Sequence, residues 1–234
     1  KESRSSRTNP KRDWYIWRSL PPNNWQASFG GKAWEYDPAS REYYLHLFTK
    51  EQPDVNWRNP EVRKAQLDVF RFWLERGVDG FRLDSCNLYF KDADFHNNPR
   101  QSGPLGVILQ KHLYDSDSPE MLPLLKELRA LLDSYPERYA VGETFMSTPE
   151  RTAAYVGEQM LHAAFSFDFT ALQLFFPWNP AWVRKQIERR EVIFSGDRWP
   201  TSVLANHDLP RAASRYCRGE DDAQAKLEIG RAHV

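Results

Sequence analysis

The chain has 234 residues, of which 41% are hydrophobic, enough for one sizeable core. Lys plus Arg and Asp plus Glu each total 32, so charge gives no reason to expect a nucleic-acid or membrane partner. No apolar run approaches the roughly 20 residues of a membrane span, and the two distant cysteines, Cys86 and Cys217, suggest a reducing, cytoplasmic compartment.

The N-terminal residues 1–54 are rich in Trp, Asn, Gly and Pro and show no helical period. The side chains of residues 43–48 alternate in character well enough to predict a strand. Because a structureless loop of this length is improbable in a compact domain, we expect 1–54 to be an irregular insertion domain. The following residues, 55–227, are expected to form the main domain.

Four dipeptides place an N-capping side chain before a proline, an arrangement that favours the start of a helix. They are Asn59-Pro60, Ser118-Pro119, Thr148-Pro149 and Asn179-Pro180. Apolar residues at helical spacing follow the first two, and Gly77 is a natural stop for the first helix.

Short apolar runs alternate with these helices, as in parallel sheets that are covered on both faces. The predicted strands are 78–83, 139–142, 163–169 and 202–205, and residues 85–117 are interpreted as a long insertion after the first of them. Alternation of strand and helix indicates an α/β fold.

Three of the predicted strands end in acidic residues. Arg82 and Asp84 occupy alternate strand positions, so their side chains point the same way, and the guanidinium favours the ionised carboxylate that a nucleophile needs. Glu143 follows the second strand, and His207 and Asp208 follow the last. The intervals of 59 and 65 residues (143 − 84 and 208 − 143) suit the strand–helix units of a barrel whose catalytic groups share one rim.

Each of these residues also has an ordinary structural interpretation. Arg82 and Asp84 could form a structural ion pair, Glu143 and Asp208 could cap helices, and His207 could be a satisfied polar residue. Their order and spacing together favour an active site.

Several motifs resemble those of one enzyme family. Gln-Pro-Asp-Val-Asn-Trp at 52–57, Gly-Phe-Arg-Leu-Asp at 80–84, Val-Gly-Glu at 141–143 and Asn-His-Asp at 206–208 resemble the ordered motifs of the α-amylase superfamily. The stretches at 11–18, 33–37 and 59–63 are similar to the α-glucosidase and oligo-1,6-glucosidase branch of glycoside hydrolase family 13.

This resemblance implies that the chain is a fragment of a (β/α)8 TIM barrel. Strands four to seven of the barrel would be present, together with most of the inserted B domain in 1–54 and the partial catalytic barrel in 55–227. The tail Glu228–Val234 breaks the expected helix and is interpreted as non-native. Half a barrel leaves open sheet edges, so the chain alone is expected to be insoluble or inactive.

The resemblance also implies the roles of six residues. Asp84 would be the nucleophile, Glu143 the general acid/base and Asp208 the transition-state stabiliser. The expected substrate-binding residues, which orient Asp84 or contact the sugar, are Arg82, His207 and Arg211. The substrate would be a small oligosaccharide, and no cofactor or metal is expected.

Three alternatives remain open at the level of the sequence. Ser85, after the expected nucleophile, resembles the hydroxylated residue that accompanies α-1,4 activity in this branch, while α-1,6 activity stays possible. A sucrose or trehalose isomerase or a transglucosylase would share all three acids. A non-catalytic scaffold, similar to the heavy chain of an amino-acid transporter, would have no physical need for three acids on one rim.

Overall fold

The computed structural model of the protein describes residues 1–100, 110–145, 147–169, 179–208 and 211. The predicted tail Glu228–Val234 and the domain boundary at residue 227 lie outside these residues. No described helix is long and apolar enough to cross a lipid bilayer.

The chain divides into two units, Lys1–Gly80 with Ser85–Arg138, and Phe81–Asp84 with Tyr139–Val234. The first unit therefore contains both the N-terminal residues and the segment that follows the first predicted strand of the barrel. This division differs from the predicted boundary after residue 54, which stays a prediction.

A three-stranded antiparallel sheet lies in the first unit. Its strands are β1 (Trp17–Arg18), β2 (Trp34–Asp37) and β3 (Glu42–Leu45), and β3 lies in the centre. The predicted strand at 43–48 is shorter in the structure, where β3 ends at Leu45 and the backbone N–H of Leu47 donates to the Asp54 carboxylate at 2.6 Å.

The core of this unit is largely aromatic. Trp25 is fully buried, and its indole N–H donates to the carbonyl of His96 at 2.9 Å. Asn24 and Asn98 exchange hydrogen bonds in the same region, so the segment after residue 85 packs against the N-terminal residues. The buried apolar cluster consists of Ile16, Trp25, Ala33, Trp34, Leu45, Leu47 and Leu88.

The described part of the first unit contains three α-helices: α1 (Glu2–Ser5), α2 (Pro60–Leu74) and α3 (Met121–Asp133). Asn59 caps α2 as predicted, because its side chain accepts from the N–H of Glu61 at 2.9 Å. Gly77 follows α2 with a φ of 87° and donates to the carbonyl of Leu74, which suits a glycine after a helix end.

The prediction that Ser118 caps the next helix is wrong. Helix α3 begins at Met121 with Glu120 at the capping position and has no side-chain cap. The hydroxyl of Ser118 instead donates to the Glu120 carboxylate at 3.1 Å, and Arg58 also binds that carboxylate. The stronger attraction of the hydroxyl to an ionised carboxylate thus removes it from the helix end.

The second unit contains a four-stranded sheet. Strands β4 (Gly80–Leu83), β5 (Tyr139–Glu143), β6 (Ala163–Ser166) and β7 (Thr201–Ser202) lie side by side in that sequence, and the pairs β5–β6 and β6–β7 are parallel. Helix α4 (Pro149–Ala154) lies between β5 and β6 in the chain and α5 (Pro180–Ile193) between β6 and β7, and Thr148 and Asn179 provide the predicted caps.

Strands β6 and β7 are shorter than their apolar runs predict. The N–H of Val203 donates to the carbonyl of Ser166, the last residue of β6, at 3.2 Å. Beyond this point β6 offers β7 no further strand partner, so the predicted strand at 202–205 continues as irregular chain.

A buried ion pair in the first unit leads to a prediction about stability. The side chain of Lys91 is only 2% exposed, and its ammonium binds the carboxylate of Asp54. We expect Lys91→Met to reduce the free energy of unfolding by about 3 kcal/mol, because the Asp54 carboxylate would keep its burial and lose its counter-charge. Urea unfolding of the full-length protein measures this loss.

The matched control is Lys64→Met. Lys64 pairs with Asp68 on the exposed face of α2, where its side chain is 77% accessible. Removing this surface pair is expected to change the free energy of unfolding by less than about 0.5 kcal/mol. If both substitutions changed the free energy of unfolding equally, the buried pair of Lys91 and Asp54 would contribute no more to stability than a surface pair.

Candidate active site

The end of β4 carries the first pair of predicted residues. Nη1 of Arg82 lies 2.8 Å from Oδ1 of Asp84, so both side chains occupy one side of the strand, as their alternate positions predict. The Asp84 side chain is 70% exposed, which leaves the carboxylate accessible to a ligand. Ser85 follows in the left-handed conformation, with φ 40° and ψ 45°, and turns the chain away directly after the carboxylate.

Glu143 is the last residue of β5, the neighbouring strand in the sheet. Its side chain is only 6% exposed, and Oε2 lies 2.6 Å from Nη2 of Arg82. The guanidinium of Arg82 therefore binds two carboxylates at once, one through each terminal nitrogen. The alternation of side chains along the strand predicts only the contact of Arg82 with Asp84.

The two carboxylates have opposite surroundings. The Glu143 side chain is buried, and its carboxylate is held by the Arg82 guanidinium. Asp84 shares the same guanidinium but lies in water. The two carboxylates that share Arg82 therefore differ in exposure, since Glu143 is buried and Asp84 is open to solvent. Acid/base and nucleophilic roles likewise need two carboxyl groups in different surroundings.

His207 and Asp208 lie beyond the end of β7. Nε2 of His207 is 3.5 Å from Oδ2 of Asp208, and the N–H of Asp208 donates to the side chain of Asn206 at 3.1 Å. Both side chains are exposed, and within the described residues their polar contacts are with each other and with Asn206. Arg211 is exposed as well. The structure thus brings together Arg82, Asp84 and Glu143, and the roles of His207, Asp208 and Arg211 stay predictions.

A buried arginine that the sequence analysis did not identify supports the same end of the sheet. Arg190 of α5 donates to the hydroxyl of Ser202 in β7 at 2.5 Å, and its Nε lies 3.7 Å from the carboxylate of Asp168. Burial lowers the pKa of Arg190, and the nearby charge of Asp168 partly opposes this shift. Its neighbours in the sequence are charged as well, so no local pattern distinguishes it from a surface residue.

Among the described residues, one group of three side chains could hold a metal ion. The ligand atoms of Asp92, Asp94 and His96 lie within 4.8 Å of one another. Oδ2 of Asp92 already binds Nδ1 of His96 at 2.7 Å, and Asp94 and His96 are exposed to water. We therefore assign no metal to this group.

Comparisons with known proteins agree on one family. Residues 1–231 match the family described as "Alpha amylase, catalytic domain". The chain is 41% identical to the probable alpha-glucosidase of Rhizobium meliloti, covering 97% of this chain and 44% of that protein. It is 37% identical to the oligo-1,6-glucosidase of Parageobacillus thermoglucosidasius, covering 97% of this chain and 42% of that protein.

Solved structures of similar proteins include enzymes with other reactions. The alpha-glucosyl transfer enzyme XgtA matches with a TM-score of 0.84 and 41% identity, over 92% of this chain and 42% of that one. The trehalulose synthase MutB matches with a TM-score of 0.79 and 31% identity, over 94% of this chain and 41% of that one. The chain spans less than half the length of each of these relatives.

Proposed function

Because the chain belongs to the α-amylase catalytic-domain family, whose fold is a TIM barrel, we propose that the protein is a retaining α-glucosidase. It would hydrolyse terminal α-glucosidic bonds of short oligosaccharides. The observation that carries this proposal is the pair of carboxylates on Arg82, with Asp84 at the end of β4 and Glu143 at the end of β5. Two carboxyl groups a short distance apart are what a retaining glycosidase needs.

In the first step, Asp84 attacks the anomeric carbon of the terminal glucose. The bond between this carbon and the bridging oxygen breaks, and Glu143 gives its proton to the departing oxygen. The exposure of Asp84 suits a group that must reach the sugar, and the burial of Glu143 suits a group that must carry a proton.

In the second step, water hydrolyses the glucosyl ester of Asp84. Glu143, now ionised, takes a proton from the water while the oxygen of the water bonds to the anomeric carbon. The ester bond breaks, and both carboxyl groups return to their first state. The configuration at the anomeric carbon is retained because it is inverted twice.

Arg82 would serve both steps. Its contact with Asp84 orients the nucleophile, and its contact with Glu143 favours the ionised acid/base that the second step requires. Asp208 would stabilise the positive charge that develops on the sugar, and His207 and Arg211 would bind the sugar. The family resemblance supports these last three assignments.

The substrate class follows from the relatives. Several are named alpha-glucosidase or oligo-1,6-glucosidase, so both α-1,4 and α-1,6 bonds are candidates. We favour α-1,4 bonds because the residue at the position of Ser85 varies with linkage preference in this branch, and a hydroxylated residue there accompanies α-1,4 activity. Cys86 is buried and forms no disulfide among the described residues, which supports the cytoplasmic location as part of the proposal.

A second candidate is a transglucosylase or sucrose isomerase. XgtA and MutB are the observation that favours it, since they are named for glucosyl transfer and trehalulose synthesis. Such enzymes would form the same glucosyl ester but pass the glucose to a sugar hydroxyl instead of water. The non-catalytic scaffold has no comparable support.

The anomeric form of the product tests the proposal. When the full-length protein acts on p-nitrophenyl α-glucoside, whose one sugar product is the transferred glucose, we expect α-glucose to appear first and to mutarotate later, because two inversions restore the starting configuration. Proton NMR during the first minutes of the reaction measures the two anomers. Initial release of β-glucose would contradict retention.

Parallel reactions with maltose, isomaltose and sucrose separate the remaining alternatives. Faster hydrolysis of isomaltose than of maltose would contradict the α-1,4 preference. Conversion of sucrose into another disaccharide, with little free glucose, would favour the isomerase. Purified protein that is folded but leaves all three sugars unchanged would favour the scaffold.

A further inference from the structure

Directly after Glu143, the chain buries a hydroxyl that the proposed mechanism does not use. Thr144 is 1% exposed, and its Oγ1 lies 2.9 Å from the carbonyl oxygen of Phe165 and 2.9 Å from Oγ1 of Thr152. Thr152 belongs to α4 and is 2% exposed. One hydroxyl therefore joins the end of β5 to both a neighbouring strand and a helix.

The direction of these hydrogen bonds follows from proton counting. A threonine hydroxyl has one proton to donate. Thr144 donates it to the carbonyl of Phe165, so Thr152 must donate to Thr144. Breaking either hydrogen bond would be destabilising, because a buried polar group that loses its partner retains its desolvation penalty.

The location of this contact links it to Glu143. Glu143 is the last residue of β5 and lies opposite Phe165 of β6 in the parallel pairing. Beyond it the strand pairing stops, and the side chain of Thr144 binds the Phe165 carbonyl there. The backbone on the C-terminal side of Glu143 is thus held by a side chain, just where β5 ends.

We propose that Thr144 is a positioning residue, whose hydroxyl, tied to Thr152 and to the carbonyl of Phe165, fixes the Glu143 carboxyl for proton transfer. The inference rests on the proposed role of Glu143 as general acid/base. A carboxyl group transfers a proton efficiently only from within hydrogen-bond reach of the departing oxygen. Because Glu143 ends its strand, rotation of the next peptide would move its side chain.

Two substrates with different leaving groups test this role. Maltose needs a proton on its departing sugar oxygen, whereas p-nitrophenyl α-glucoside releases a stabilised phenolate that needs little protonation. We expect Thr144→Val to lower kcat/KM for maltose about 10- to 100-fold and kcat/KM for the nitrophenyl substrate less than about threefold, since kcat/KM reports the first step alone. Valine has nearly the same shape but cannot donate to Phe165 or accept from Thr152.

Three further variants serve as controls in the full-length protein. Thr144→Ser keeps the hydroxyl and should retain most of the maltose activity. Thr152→Val removes only one of the two hydrogen bonds of Thr144 and should have the smaller selective loss. Thr8→Val changes an exposed threonine in the first unit and should affect neither substrate.

Equal losses for both substrates in Thr144→Val would overturn the positioning role and leave a purely structural one. A wild-type protein that hydrolyses neither substrate would instead overturn the proposed function, so the two failures are distinguishable. Thermal unfolding tests the contact between the two hydroxyls without measuring activity. Thr152→Val should lower the melting temperature when it is introduced into the wild type, but not when it is introduced into Thr144→Val. Additive losses would show that the two hydroxyls do not interact.

Discussion

Asp84→Asn is expected to abolish hydrolysis of maltose by the full-length protein, with kcat/KM reduced by at least about 10⁴-fold. This corresponds to more than about 5 kcal/mol of lost transition-state stabilisation, at about 1.4 kcal/mol for each factor of ten. The amide keeps an oxygen that can accept from Arg82, so the fold and the end of β4 should persist. What it lacks is a nucleophile that can form the glucosyl ester.

The control for this substitution is Asp79→Asn. Asp79 precedes β4 and its side chain is 97% exposed, so loss of its charge should leave activity unchanged. Asp84→Ala with added azide provides a second test, since azide can attack the anomeric carbon directly in the space left by the carboxylate. The expected product is β-glucosyl azide. A folded Asp84→Asn protein with activity near that of the wild type would exclude Asp84 as the nucleophile.

Glu143→Gln is expected to reduce kcat for maltose by about 10²- to 10⁴-fold, the usual contribution of a general acid. The loss on p-nitrophenyl α-glucoside should be smaller in the first step, because this leaving group needs little protonation. The amide oxygen introduced by this substitution could still accept from Arg82, so the connection between β4 and β5 should remain. Steady-state kinetics on the two substrates measure the difference.

The product formed with azide distinguishes the role of Glu143 from that of Asp84. In Glu143→Gln the glucosyl ester of Asp84 still forms, and azide can replace water without a general base. The expected product is therefore α-glucosyl azide, the opposite anomer from that of Asp84→Ala. Glu158→Gln, in which an exposed carboxylate of the same unit is changed, is the control. The same azide anomer from both catalytic variants would contradict the assignment of separate roles.

The contrast between these two variants depends on Arg82. In the structure its guanidinium contacts Asp84 at 2.8 Å and Glu143 at 2.6 Å, so a change in either carboxylate alters the environment of the other. Effects of paired substitutions at these positions should therefore be non-additive, as is usual for residues that act as one unit.

Much of the local structure could be predicted from sequence because its causes lie within a few residues. Asn59, Thr148 and Asn179 cap their helices by binding an N–H two or three positions along the chain. The contact between Arg82 and Asp84 follows from the alternation of side chains in a strand. Ser118 failed as a cap because Glu120, itself held by a residue 62 positions away, attracted its hydroxyl.

The sequence by itself determined the α/β alternation, the acidic strand ends and the membership of the α-amylase family, because ordered motifs and short-range patterns encode these features. Only the tertiary structure decided that Arg82 reaches Glu143, 61 residues away, and that Thr144 binds Thr152 and Phe165. These contacts depend on which strands become neighbours and where each strand ends. The free energy that selects them comes from burial and hydrogen bonding across the whole sheet, which no local window of sequence contains.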